Sequence, residues 1–261
     1  MKHQRGLAIL VILTITVCMP VPVFSQEQTP AIEPRVDKIL GEMNDYMSSL
    51  KQFSFHTENT TEEVWTTGQK VQFGDDVDVF VRRPDRLRAN VTGDKREQEI
   101  YYNGKTLTLF GKKMNFYGVL DAPTTIELAL DFARETVQLE APLADIVYTD
   151  FYESLKDGIT SGSYVGFHAV DDIKCHHLLL SRDDIDIQIW IEDSKTPVPR
   201  KLIITEKWVT GAPQFTARIT QWDLSPTLKD SLFAFVPPEK ARKIEFLRAE
   251  KTVAPRTQGG K

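Results

Sequence analysis

Ile185, Ile187, Ile189 and Ile191 alternate with Asp186, Gln188, Trp190 and Glu192. β-Branched residues at every second position cannot share one face of a helix, but they line one face of a pleated strand. The same period of two returns along the chain. Phe53 and Phe55 sit between polar neighbours; Val77, Val79 and Val81 alternate with Asp76, Asp78, Phe80 and Arg82; Leu107 and Leu109 alternate with threonines. A chain with this many half-buried strands must pair them so that one face is covered.

Turn residues set the pairing. Asn103-Gly104 separates the strands predicted at residues 99–102 and 105–110, a two-residue hairpin signal, and Gly111-Lys112-Lys113 reads as the next turn. Asp171-Asp172 joins the strands expected at 164–170 and 175–181, and Asp193-Ser194-Lys195 leads into a strand at 200–209. Segments 215–224 and 232–236 complete the set. Strands joined by tight turns favour one large curved antiparallel sheet.

Two helical regions interrupt the strands. Ile32, Val36, Ile39, Leu40, Met43, Met47 and Leu50 recur at three- and four-residue steps, with Pro34 suited to the first turn. In the middle, Thr124 and Glu127 form a candidate capping box for a helix carrying Leu128, Phe132 and Val137. Pro142 then opens a second helix with Leu143, Ile146, Val147, Phe151 and Leu155, and Gly158 and Gly162 end the region. The class is α+β: a sheet covered by an N-terminal helix and a helical insert. No repeat or linker divides it.

The N-terminus reads as an export signal rather than structure. Lys2, His3 and Arg5 precede an apolar run at residues 6–17, and Val23-Phe24-Ser25 place cleavage before Gln26. The apolar run is shorter than the ~20 residues a bilayer crossing needs. Cys18 lacks the small preceding residue that lipidation favours, since Val17 stands there. Residues 1–25 are therefore expected to be a signal peptide, 26–250 one domain in the periplasm, and 251–261 a disordered tail. Cleavage leaves Cys175 as the single thiol, so no internal disulfide forms. The formal net charge of −5 at pH 7 disfavours nucleic acid and anionic lipid surfaces as electrostatic partners.

Several phrases resemble one known group. They are Phe80-Val81-Arg82-Arg83-Pro84-Asp85-Arg86-Leu87-Arg88, Tyr102-Asn103-Gly104-Lys105-Thr106-Leu107, Ile189-Trp190-Ile191-Glu192 with Pro197-Val198-Pro199-Arg200-Lys201, and Leu232-Phe233-Ala234-Phe235-Val236-Pro237-Pro238. In this order they resemble the LolA/LolB-like superfamily of periplasmic lipoprotein carriers, and within it a family of uncharacterised predicted periplasmic proteins. The resemblance implies an incomplete antiparallel barrel with helices lidding an apolar cavity for acyl chains, and no turnover. It also implies that Arg83, immediately before Pro84, ties down the lid. The charged stretch at residues 75–78 and the extra length depart from the carrier pattern.

Phe110, Phe116, Tyr117, Phe132, Phe151 and Trp190 are candidates for the cavity lining, with ordinary core packing as the plainer alternative for each. Cys175-His176-His177, near Asp171, Asp172, Asp183 and Asp184, is the sharpest enzyme-like run. On a strand, however, Cys175 and His177 face one side and His176 the other, so three ligands do not converge from this run without help from distant segments. Phosphate-loop, His-Glu-x-x-His and Gly-x-Ser-x-Gly patterns do not occur. The reading is a non-enzymatic binder of a hydrophobic ligand, a lipid or lipoprotein acyl chain, without cofactor or metal. The alternative is an envelope interaction or sensor module that grips a protein partner with the same sheet.

Overall fold

The computed structural model describes residues 31–247; the expected signal peptide, Cys18 and the tail lie outside them. Helix α1 (Pro34–Ser49) starts on its proline and buries Val36, Ile39, Leu40, Met43 and Met47, the face expected from their spacing. Strands β1 (Gln52–Val64), β2 (Lys70–Arg82), β3 (Arg86–Gly93), β4 (Glu97–Tyr102), β5 (Thr106–Gly111) and β6 (Phe116–Asp121) form a meander. After the helical insert, β7 (Ser161–Val170), β8 (Ile173–Ser181), β9 (Ile185–Glu192), β10 (Pro199–Glu206) and β11 (Gln214–Asp223) form a second. The meanders join where β11 pairs antiparallel with β1 and, with a short last strand β12 (Arg242–Ile244) beside β6, give the order β12-β6-β5-β4-β3-β2-β1-β11-β10-β9-β8-β7.

This topology dictates where the insert lies. β6 stands next to one end of the sheet and β7 at the other, so residues 122–160 must cross from side to side. They cross over the face bearing Phe53, Phe55, Ile100, Tyr102, Leu107, Leu178, Ile187, Ile189 and Ile191, which pack with α1 and the insert into the main core. The opposite face carries a smaller cluster of Val170, Cys175 and Trp190. The sheet is not closed into a barrel.

The turns behave as their residues require. Gly104 adopts φ +85°, and the Asn103 Oδ1 accepts from the amides of Lys105 and Thr106. Asp171 and Asp172 both take positive φ, +48° and +61°, as a tight hairpin between right-twisted strands demands.

Four expectations are corrected. Thr125, not Thr124, caps α2 (Ile126–Val137), its hydroxyl accepting from the Leu128 amide at 3.3 Å, while Glu127 bonds elsewhere. The helix expected after Pro142 is broken into a 3-10 turn (Ala144–Val147) and α3 (Phe151–Lys156). The break turns the carbonyls of Val147 and Tyr148 toward Arg83. Residues 232–236 are not a strand: after a 3-10 turn (Asp230–Leu232) the chain lies across the outer face and places Phe235 against Tyr101, Phe110 and Tyr117. A short strand, β12 (Arg242–Ile244), adds parallel to β6, so the sheet is mixed; its three exposed residues carry no alternation to read.

Burial separates residues that look alike in sequence. Leu40 on the inner face of α1 is fully buried, whereas Leu128 on α2 is 55% exposed. Leu40→Ala is expected to lower unfolding stability by about 2–5 kcal/mol, and Leu128→Ala by less than ~0.5 kcal/mol. Urea denaturation checks both; equal losses would contradict the assignment of faces.

Candidate functional site: a lidded cavity pinned by Arg83

Arg83 occupies the turn between β2 and β3. Its Nη1 donates to the carbonyls of Met47 (2.9 Å) and Leu50 (3.1 Å) at the end of α1. Its Nη2 donates to those of Val147 and Tyr148, both at 2.9 Å, at the end of the 3-10 turn. The Nε donates to the Thr149 hydroxyl at 3.2 Å, and the guanidinium lies 5.1 Å from the Phe53 ring centroid. Carbonyls at helical ends carry partial negative charge, and a planar five-donor cation can satisfy several at once. Burial pulls the Arg83 pKa below its ordinary value, and Glu127 opposes that shift. A guanidinium remains charged throughout.

The network continues through the insert. Thr149 donates from its amide (3.0 Å) and hydroxyl (2.7 Å) to Glu127 on α2. Burial opposes ionisation of Glu127, but hydrogen bonds from its own amide, Thr149 and Thr125 outweigh it and hold the carboxyl below its usual range. Tyr148 donates to Asp131 at 2.6 Å, and Arg134 pairs with Asp145 at 2.9 Å. Both helical parts of the insert are thus tied to each other and to the sheet.

Under this lid lies a cavity of about 180 Å³. β1 contributes Phe55, Thr57, Asn59 and Thr61; β2 contributes Asp75, Val77 and Val79; β3 contributes Leu87, Ala89 and Val91; β4 contributes Gln98 and Ile100. Leu130 and residues 140–144 cover it, together with Val147. The period of two brings these side chains to one face. Polarity rises along β1, from Phe53 and Phe55 to Thr57, Asn59 and Thr61.

The six aromatic candidates lie elsewhere. Phe110 and Tyr117 face outward beneath Phe235. Trp190 also faces outward, stacked on His177 at 3.9 Å. Phe116 sits under the Arg242 guanidinium near the sheet edge, and Phe132 is 36% exposed on α2. Phe151 is buried in the main core. None of these six lines the cavity. Strand parity carried the signal: Phe110 alternates with Leu107 and Leu109 across the sheet, and the lining residues share the parity of Phe55 and Val77.

The Cys-His-His run is split across the sheet. Cys175 and His177 face outward, while His176 faces α1 and pairs with Asp193 at 3.2 Å. Burial holds both histidines below their usual pKa and pushes the Cys175 thiol up to about 11. No group of three His, Cys, Asp or Glu side chains among the described residues is placed to hold a metal ion.

Two outcomes follow. Ellman's reagent is expected to leave Cys175 unlabelled in the native protein at pH 8 and to label it on unfolding, since burial disfavours the thiolate; rapid native labelling would contradict its burial. Glu127, with its folded pKa depressed, contributes stability above the unfolded carboxyl pKa of about 4.3 and loses it as pH falls through the folded value. The stability difference between wild type and Glu127→Gln is therefore expected to be full at pH 6 and to shrink in acid below about 4. A difference that grows on acidification would overturn this assignment.

The family model described as a predicted periplasmic protein, DUF2092, matches residues 36–247. Among solved structures, an uncharacterized conserved protein from Thermus thermophilus is 8% identical, with 81% of this chain and 99% of that chain covered at a TM-score of 0.50, a likeness of fold. A LolA superfamily protein from Nitrosomonas europaea is 12% identical, covering 77% and 97% at a TM-score of 0.38. The lipoprotein LppX from Mycobacterium tuberculosis is 14% identical, covering 75% and 98% at a TM-score of 0.44. No curated sequence matches the chain. Among the described residues no helix is long and apolar enough to cross a membrane. The match over most of its length shows that this chain belongs to the DUF2092 family of predicted periplasmic proteins.

Proposed function

We propose that this protein is a periplasmic carrier of a hydrophobic ligand, a lipid or acyl chain, which it binds and releases without chemical change. Residues 1–25 direct export and are cleaved off, and residues 26–250 act as one body. The observation that carries the reading is the double role of Val147. It lines the cavity, and its carbonyl accepts from Arg83. Anything that enlarges the cavity by displacing Val147 pulls on the hydrogen bonds that close the lid.

Size supports this coupling. An apolar cavity of about 150 Å³ accommodates a molecule the size of benzene. At about 180 Å³ the partly open cavity takes a small group or the end of a chain, and a whole acyl chain needs more space, which movement of the lid would add. The lid buries Ile126, Leu130, Ile146, Val147, Phe151 and Leu155 in the core, and Arg83 adds polar contacts at the end of the 3-10 turn that can break and re-form without unfolding the sheet.

Hydrogen bonds to a charged group contribute about 1.5–3 kcal/mol each, and about 1.4 kcal/mol corresponds to a tenfold change in an equilibrium. Arg83→Leu is therefore expected to speed dissociation of N-phenyl-1-naphthylamine from the cavity at least about tenfold. Circular dichroism should remain that of the wild type. Unchanged exchange in a folded variant would contradict the lid mechanism.

A further inference from the structure

The cavity is not uniformly apolar. Thr57 is fully buried and Asn59 is 8% exposed, and both line it. The Thr57 Oγ1 and the Asn59 Oδ1 are buried without a hydrogen-bond partner among the described residues. Both stand on β1, two residues apart and on one face, opposite Val77 and Asp75 of β2.

The orientation of the Asn59 amide is set by its neighbour. Its Nδ2 donates to Asp75 Oδ1 at 2.8 Å, and a carboxylate oxygen only accepts, so the amide oxygen must turn the other way. That leaves an acceptor requiring a donor, beside a threonine hydroxyl able to accept or donate. Buried polar atoms are almost always paired, and an unpaired one is destabilising. A cavity built only for hydrocarbon would carry valine or leucine here, as it does at Val77, Val79 and Leu87.

We propose that Thr57 and Asn59 form a polar waist that selects an amphiphile carrying a neutral hydroxyl, which donates to Asn59 Oδ1 and meets the Thr57 hydroxyl. The apolar part of that ligand lies toward Phe55, Val79, Leu87 and Leu130, beneath the Arg83 clamp. The polar part lies toward Thr61, Asp75, Arg96 and Gln98. This rests on the hydrophobic-ligand reading and narrows it: a plain hydrocarbon chain leaves both oxygens unpaired, whereas an alcohol satisfies them.

The test compares 1-octanol with methyl heptyl ether, which has the same number of heavy atoms and no donor, as displacers of N-phenyl-1-naphthylamine from the mature full-length chain. Octanol is expected to displace at about tenfold lower concentration, the effect of pairing one buried polar atom. Asn59→Leu should abolish that preference, and Thr57→Val should reduce it. If Asn59→Leu does not fold, the near-isosteric Thr57→Val still reports, because it removes one of the two oxygens without changing shape. Equal displacement by alcohol and ether in the wild type would overturn the polar waist and leave the carrier reading standing. No displacement by either would overturn both.

Discussion

One guanidinium holds three parts of this molecule together. Arg83 projects from a turn of the sheet and bonds the ends of α1 and of the 3-10 turn, while Thr149 links it to Glu127 on α2. α1 is secured independently by a fully apolar buried face. The insert buries Ile126 and Leu130 of α2, Ile146 and Val147 of the 3-10 turn, and Phe151 and Leu155 of α3 against the same core. Arg83 adds the polar contacts that fix where the 3-10 turn ends. A cover packed on the core and fastened at one end by a single guanidinium can open locally at that end without loss of the sheet.

The cover lies where it does because of connectivity. Two meanders joined along β1 and β11 leave their outer strands at opposite ends of a wide sheet. The connection between β6 and β7 cannot stay at an edge, so it spans the core face and encloses space beneath it. Space remains where the insert presents short side chains, Ala141 and Ala144, to the sheet. Together these features leave a cavity at the foot of the lid rather than a filled core.

Much of the fold was legible in the sequence because strand periodicity and turn chemistry are local. The isoleucine alternation of β9, the Asn103-Gly104 hairpin and the buried stripe of α1 each appear as expected. The helical insert was legible as helical, but its break after Val147 was not. That break is compensated by hydrogen bonds from Arg83, more than sixty residues away in sequence. The segment around Phe233 and Phe235 alternates like a strand yet packs across the outer face, anchored by Arg82 on the Leu228 carbonyl and on Asp230. Arg83 was singled out through a family resemblance, and it stands among carbonyls at the ends of α1 and the 3-10 turn. The aromatic candidates illustrate the opposite limit: large side chains mark burial, but strand parity and the partner segment decide which face. The cavity is lined instead by Phe55 and by shorter side chains such as Thr57, Val77, Val79, Ala89 and Val91.

The central claim is that a hydrophobic ligand occupies the space beneath the lid. Native mass spectrometry of the protein purified from the periplasm without detergent, followed by organic extraction, tests it most directly. The account predicts a chain beginning at Gln26 that carries one stoichiometric apolar or amphiphilic molecule, released when Arg83 is replaced by leucine. A population that is ligand-free under the gentlest conditions, and that acquires no ligand when offered the envelope lipids of its source cell, would contradict it.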